Sequence, residues 1–150
     1  MPNKTLPPDQ MLQLDRQLCF ALYSASHAMS KAYKPHLDAL GLTYPQYVAM
    51  LVLWERDGLT VSEIGERLYL DSGTLTPLLK RLEAAGYISR LRDVADERRV
   101  LIQLTAAGRR LKTKAAPIPG CMFEAMQCTP AELGALTRQV QQLRDRLQAA

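Results

Sequence analysis

Hydrophobic positions along this chain recur at helical spacing over most of its length. Leu12, Leu18, Leu22, Ala25 and Met29 share one face of a first segment that Pro35 and then Gly41 disturb, which predicts a helix over about residues 11–38. Thr43 as N-cap, with Pro45 in the first turn, opens a second helix through Val48, Leu51, Val52 and Trp54, stopped at Asp57-Gly58, with Trp54 read as core. Thr60 caps a short third helix bearing Val61, Ile64 and Leu68, and Asp71 stands where the cap of a fourth belongs. Leu75, Leu78, Leu79 and Leu82 form that helix's apolar stripe, and Gly86 is its left-handed stop. Pro77 fits it poorly, because a proline six residues in removes a backbone donor; a start nearer Thr74 is the alternative.

From Tyr87 the period changes. Ile88, Arg90 and Arg92, then Arg99, Leu101 and Gln103, flank the acidic turn Asp93–Glu97 and predict a β-hairpin with a charged tip. Thr105 caps a helix that must break or kink at Pro117 and Pro119, and Thr129-Pro130-Ala131-Glu132 restarts one with a capping-box pattern. Leu133, Leu136, Val140, Leu143 and Leu147 complete an amphipathic C-terminal helix. The fold class is therefore mostly α with a small β-hairpin wing. These breaks divide the chain into segments 1–40, 41–105 and 106–150.

Composition narrows this further. At 150 residues and 47% hydrophobic, the chain forms one domain with a core large enough to need no disulfide scaffold. The first ten residues hold no apolar run of signal-peptide length, and the longest run, Tyr47 to Trp54, is too short to span a bilayer, so a cytoplasmic protein with no membrane partner is expected. Three cysteines cannot all pair within one chain and read as free, catalytic or redox-sensing. His27 and His36 have no clustered ligand partners, so no metal is expected, and no phosphate loop, nucleophile elbow or paired carboxylates call for a cofactor or hydrolytic chemistry. Residues 80–110 carry 8 basic and 4 acidic side chains, against 6 and 8 over residues 1–79, a local surplus suited to a polyanion.

Two short amphipathic helices followed at once by a basic hairpin make a winged helix-turn-helix. Off its leucine stripe the second helix offers Ser72, Gly73, Thr74 and Thr76, then Lys80 and Arg81, small and basic groups suited to base edges and phosphates. Arg90 and Arg92 lie along the hairpin strand and Arg98 and Arg99 at its tip, where Asp96 is placed to fix an arginine through a bidentate pair.

The segments LCFALYSASHAM, LTYPQYVAMLVLWE, IGERLYLDSGTLTPLLKRLEAAGYISR and DERRVLIQLT resemble the MarR family of winged-helix repressors, and specifically its OhrR-type organic-hydroperoxide sensors, over about residues 12–120. The resemblance implies a homodimer in which segments 1–40, which carries the sensor helix, and 106–150 intertwine for dimerisation, while the DNA-binding region 41–105 reads successive major grooves of a pseudo-palindromic double-stranded operator. It also implies a peroxide-reactive Cys19, with Tyr23 one turn on and Tyr33 and Tyr44 approaching from the partner subunit. Arg98 matches the family's minor-groove arginine and Asp96 its acidic partner.

Residue chemistry accords with that: sensing needs a thiolate, and phenolic hydroxyls stabilise one without adding charge. Family members with one cysteine are capped by a small thiol, whereas two-cysteine members form an intersubunit disulfide. The resolving position, five residues after the proline of Ile118-Pro119, falls on Glu124 here, a departure from the pattern. Cys121 and Cys128 lie three before and four after it, on one face if the segment is helical. Cys121 is preferred because it follows a flexible Pro117–Gly120 segment; Cys128 and small-thiol capping remain open. Two other functions fit the same residues: a thiol peroxidase turning over at Cys19, and a repressor released by a small aromatic ligand with Cys19 inert.

Overall fold

A computed structural model describes residues 5–150; residues 1–4, the start of both the predicted N-terminal dimerisation segment and the stretch read for a signal peptide, lie outside the described residues. The chain divides into two compact units, Met1–Ala115 and Ala116–Ala150.

In the first unit the expected helix over 11–38 is interrupted. Helix α1 spans Pro8–Met11, a 3-10 turn spans Leu14–Arg16, and α2 runs from Leu18 to Asp38. The break lies at Gln17, whose backbone is extended while its side-chain amide donates to the Met11 and Gln13 carbonyls, closing the turn. Pro35 is carried inside α2, and Gly41, at φ +69, supplies a left-handed corner that glycine adopts without a Cβ penalty. Helix α3 (Tyr44–Glu55) follows with a complete Thr43–Gln46 capping box and buries Tyr47, Met50, Val52 and Leu53. Trp54, expected in the core, is only half-buried, and its indole N–H donates to the Gly108 carbonyl at 2.9 Å, tying α3 to α6.

Strand β1 (Leu59–Thr60), α4 (Val61–Leu68), α5 (Ser72–Ala84), β2 (Ile88–Arg92), β3 (Val100–Leu104) and α6 (Ala106–Ala115) complete the unit. The predicted hairpin is thus part of a three-stranded antiparallel sheet in the order β1-β3-β2. Leu59 pairs with Ile102, which also pairs with Arg90. Two residues are too few to show alternation, so β1 left no pattern to find; Thr60 serves both as its last residue and as the N-cap of α4. Thr105 caps α6 as expected, accepting from the Gly108 N–H at 3.1 Å.

The second unit holds α7 (Ile118–Met126) and α8 (Pro130–Ala149). Pro117 and Pro119 sit at the start of α7, so the break falls where the prolines predict it, and Thr129 and Glu132 form the capping box of α8. Helix α8 has no buried residue, and Leu136, Val140 and Leu147 on it are exposed. Among the described residues no helix is long and apolar enough to cross a membrane.

Candidate DNA-reading surface and thiol site

Helices α4 and α5 form the helix-turn-helix pair. Their corner is tight: a Cβ on Gly65 would lie 2.7 Å from the Leu70 carbonyl oxygen, so only glycine lets the turn close. Tyr69 caps α4 in the left-handed region at φ 57, and Asp71 caps α5, its Oδ1 accepting from the Thr74 N–H at 2.8 Å. That backbone hydrogen bond, helped by the Thr74 hydroxyl, holds the Asp71 carboxyl below the usual carboxylate range.

The later start near Thr74 is not taken: α5 begins at Ser72 with Pro77 inside it. The missing N–H would have met the Gly73 carbonyl, and both residues lie on the side opposite the buried stripe Leu75, Leu78, Leu79 and Leu82, where water reaches the freed oxygen. Ser72, Gly73, Thr74, Lys80 and Arg81 are exposed on that outer side, and Thr76 is half-buried at its margin.

At the wing, Asp93 N–H donates to the Arg99 carbonyl at 2.8 Å and Arg99 N–H to the Asp96 carbonyl at 3.0 Å, closing the tip. The expected bidentate pair at Asp96 is replaced by a backbone contact: Asp96 Oδ1 accepts from the Arg98 N–H at 3.1 Å, an Asx turn that fixes the Arg98 main chain and leaves its side chain exposed. Arg92 reaches the Glu97 carbonyl at 3.4 Å. Arg90 is half-buried, with Nε unpartnered among the described residues and its N–H bound to Glu83. Arg99 instead faces Glu63 and Asp93, each at 3.8 Å. Glu63 escaped the sequence reading because nothing local links α4 to the wing tip.

The break at Gln17 changes the setting of Cys19. It occupies the second position of α2, in a first turn without a side-chain cap, where free amide N–H groups favour an anion. Cys19 and Tyr23 are both exposed, one turn apart, and the Tyr23 ring meets His27 edge-on at 4.3 Å. Tyr33 and Tyr44 are brought together at 5.1 Å between ring centroids, and both also meet Tyr47, 3% exposed, which the sequence reading had given no role although the TYPQY spacing places it one turn after Tyr44. Burial, then the neighbouring phenols Tyr44 and Tyr47, push the Tyr33 hydroxyl up, so it stays a proton donor at neutral pH. Within one chain this cluster is remote from Cys19: Tyr33 lies fourteen residues further along α2, roughly 21 Å of helical rise.

The two distal thiols differ from expectation. Pro117–Gly120 is not a flexible lead-in but contains the first turn of α7, which continues through Cys121. Cys128 does not share its face, because Gln127 ends α7 in the left-handed region and puts Cys128 in the link before α8, its thiol on the Met126 carbonyl at 3.4 Å. Cys121 is exposed and Cys128 half-buried.

Comparison with known proteins adds the wider setting. Residues 31–115 match the family of transcriptional regulators SarA/Rot. The chain is 58% identical to the organic hydroperoxide resistance transcriptional regulator of Bacillus subtilis, over 75% of this chain and 76% of that one. It is 52% identical to the HTH-type regulator TtmR of Methylorubrum extorquens, over 94% and 72%. Solved structures of AbfR of Staphylococcus epidermidis include an overoxidised form bound to DNA, matched with TM-score 0.76 and 34% identity over 94% of this chain and 99% of that one. A disulfide-formed AbfR matches with TM-score 0.62 and 33% identity, over 94% of each chain. With the winged fold, these matches show that the chain belongs to the MarR/SarA family of winged helix-turn-helix transcriptional regulators and not to an enzyme family.

Proposed function

We propose that the chain is a homodimeric repressor whose Cys19 is oxidised by organic hydroperoxides, releasing operator DNA. The observation that carries this is the placement of Cys19 in the uncapped first turn of α2, one turn from Tyr23, in a chain whose other end of α2 enters a winged helix. The names of its relatives support it: one is a hydroperoxide-resistance regulator, and AbfR is recorded on DNA and in a disulfide form. Leu12 (81% exposed), Leu14 and Leu18 near the N-terminus, with Leu136, Val140 and Leu147 on α8, offer the apolar surface that segments 1–40 and 106–150 would bury between two chains.

In this reading Ser72, Gly73, Thr74, Thr76, Lys80 and Arg81 enter the major groove. Arg90, Arg92 and Arg98 follow phosphates and the minor groove, and Asp96 shapes the Arg98 turn. Paired recognition helices then span half-sites about 34–36 Å apart.

The Cys19 thiolate attacks the terminal peroxide oxygen. An S–O bond forms, the O–O bond breaks, and the alkoxide leaves as an alcohol after taking a proton, with Tyr23 and the partner's phenols as donors; sulfur is oxidised to sulfenic acid. A second thiol then forms an S–S bond and expels water; exposed Cys121 is preferred over Cys128, whose half-buried thiol rests on the Met126 carbonyl, and over a small thiol. Fluorescence anisotropy on DNA from upstream of the chain's own gene tests this. Reduced wild type should bind and release on adding an organic hydroperoxide, while Cys19→Ser should bind and stay bound. Release of Cys19→Ser by peroxide overturns the sensing assignment, and catalytic rather than stoichiometric peroxide consumption would favour a peroxidase.

A further inference from the structure

Arg99 stands apart from the other wing arginines. Its Nη2 lies 3.8 Å from Glu63 Oε1 on the first turn of α4, and its Nη1 lies 3.8 Å from Asp93 Oδ2 at the end of β2. Both carboxylates are held by other groups. Glu63 Oε1 accepts from the hydroxyl of buried Thr60 at 3.0 Å, and Thr60 is itself paired into the sheet opposite Leu101. Asp93 Oδ1 accepts from the Ala95 N–H at 3.0 Å, and the Asp93 N–H donates to the Arg99 carbonyl.

The guanidinium therefore joins the wing tip to the start of α4. A phosphate approaching Arg99 would also meet two carboxylates, so this cation attracts DNA less than its bare charge suggests. Arg98, its neighbour, makes no ion pair among the described residues.

We infer that Arg99 is a positioning residue, clasping the wing onto α4 through Glu63 and Asp93 and so setting where Arg98 meets DNA, instead of contacting phosphate itself. This rests on the DNA-reading role proposed above. The two pairs are partly exposed and small individually, but a dimer carries the clasp twice, so an effect of about threefold on affinity is expected from its loss.

The test compares Arg99→Ala, Glu63→Gln, their double variant and Arg98→Ala with wild type, using anisotropy on the upstream DNA between about 50 and 200 mM salt. Glu63→Gln keeps the acceptor for Thr60, and thermal midpoints establish that each variant is folded. Expected are a loss of about threefold in Arg99→Ala and in Glu63→Gln, no further loss in the double variant, and an unchanged salt slope in all three. Arg98→Ala should lower the slope by about 1 per wing. The decisive sign is that of Glu63→Gln. If Arg99 touched phosphate, removing a nearby carboxylate would tighten binding, and that result, or a reduced slope in Arg99→Ala, overturns the clasp even if Arg99→Ala alone fails to fold. Failure of wild type to bind the DNA would instead defeat the DNA-reading role, and the clasp with it.

Discussion

The separation along α2 makes a demanding prediction about where the thiol pocket is built. Cys19 and Tyr33 lie fourteen positions apart on unbroken helix, roughly 21 Å, more than both side chains can bridge. If Tyr33 and Tyr44 donate to the Cys19 thiolate, they must do so across a dimer. A hydrogen bond to a charged group contributes about 1.5 kcal/mol at the low end, a factor of about ten in rate if realised in the transition state, where the departing alkoxide also develops charge. A homodimer of Tyr33→Phe/Tyr44→Phe, which keeps the 5.1 Å ring contact but loses both hydroxyls, should be oxidised about a hundredfold more slowly.

A heterodimer of that chain with Cys19→Ser should behave differently. Its one remaining thiol belongs to the Phe chain and faces the intact phenols of the other, so it should react at the wild-type rate. Differently tagged chains allow the heterodimer to be purified, and mass spectrometry of the Cys19 peptide after brief exposure to one equivalent of hydroperoxide reads the rate. A heterodimer as slow as the double-Phe homodimer would refute the shared pocket.

Three further outcomes follow from local geometry. After oxidation, peptide mapping should find a Cys19–Cys121 disulfide that is lost in Cys121→Ser and kept in Cys128→Ser; the reverse pattern would assign the resolving role to Cys128. Gly65→Ala puts a methyl 2.7 Å from the Leu70 carbonyl, so it should cost about 1–3 kcal/mol in thermal or urea unfolding and weaken DNA binding as the corner opens; an unchanged midpoint would contradict the close approach. Asp71 has a lowered folded pKa, so its contribution is complete above the unfolded carboxylate value near ~4 and is lost as pH falls through the folded value. The difference in melting temperature between wild type and Asp71→Asn should therefore shrink as pH is lowered below ~4, and a constant difference would show that the charge at this cap is immaterial.

Side-chain pattern made most of the reading elements legible. Caps at Thr43, Thr60, Asp71, Thr105 and Thr129 and the stop at Gly86 mark boundaries by chemistry that acts over three or four residues, and the structure uses all of them. The misses share a different cause. The interruption before α2 depends on a glutamine side chain reaching back to two carbonyls, and α2's apolar positions continue the same periodicity across it. Strand β1 exists only because β3, some forty residues on, supplies its partner. At Arg99 the sequence shows the charge but not the two carboxylates that face it, because nothing local links Glu63 to the wing tip. The helical face that would join Cys128 to Cys121 ends at Gln127, a left-handed residue of a type that ordinarily gives no such signal in sequence.

The same geometry offers the proposed oxidation switch a route from one end of α2 to the wing. Helix α2 is unbroken from Cys19 to its C-terminus, where the Tyr33 ring meets Tyr44 and Tyr47 at tilted angles and where Leu37, with Leu40 just beyond, is buried. Helix α3 then packs on α4, α5 and α6. A packed, hydrogen-bonded helix does not absorb a displacement of its first turn by bending smoothly, because close-packed interiors resist small deformations. The side chains around Cys19, by contrast, have few neighbours within the chain and are free to rearrange. In the proposed switch, a covalent bond made at Cys19 would displace the first turn of α2, and the helix would carry that displacement to the tyrosine cluster and α3, and so to α5, whose spacing from its counterpart in a dimer would set the fit to an operator.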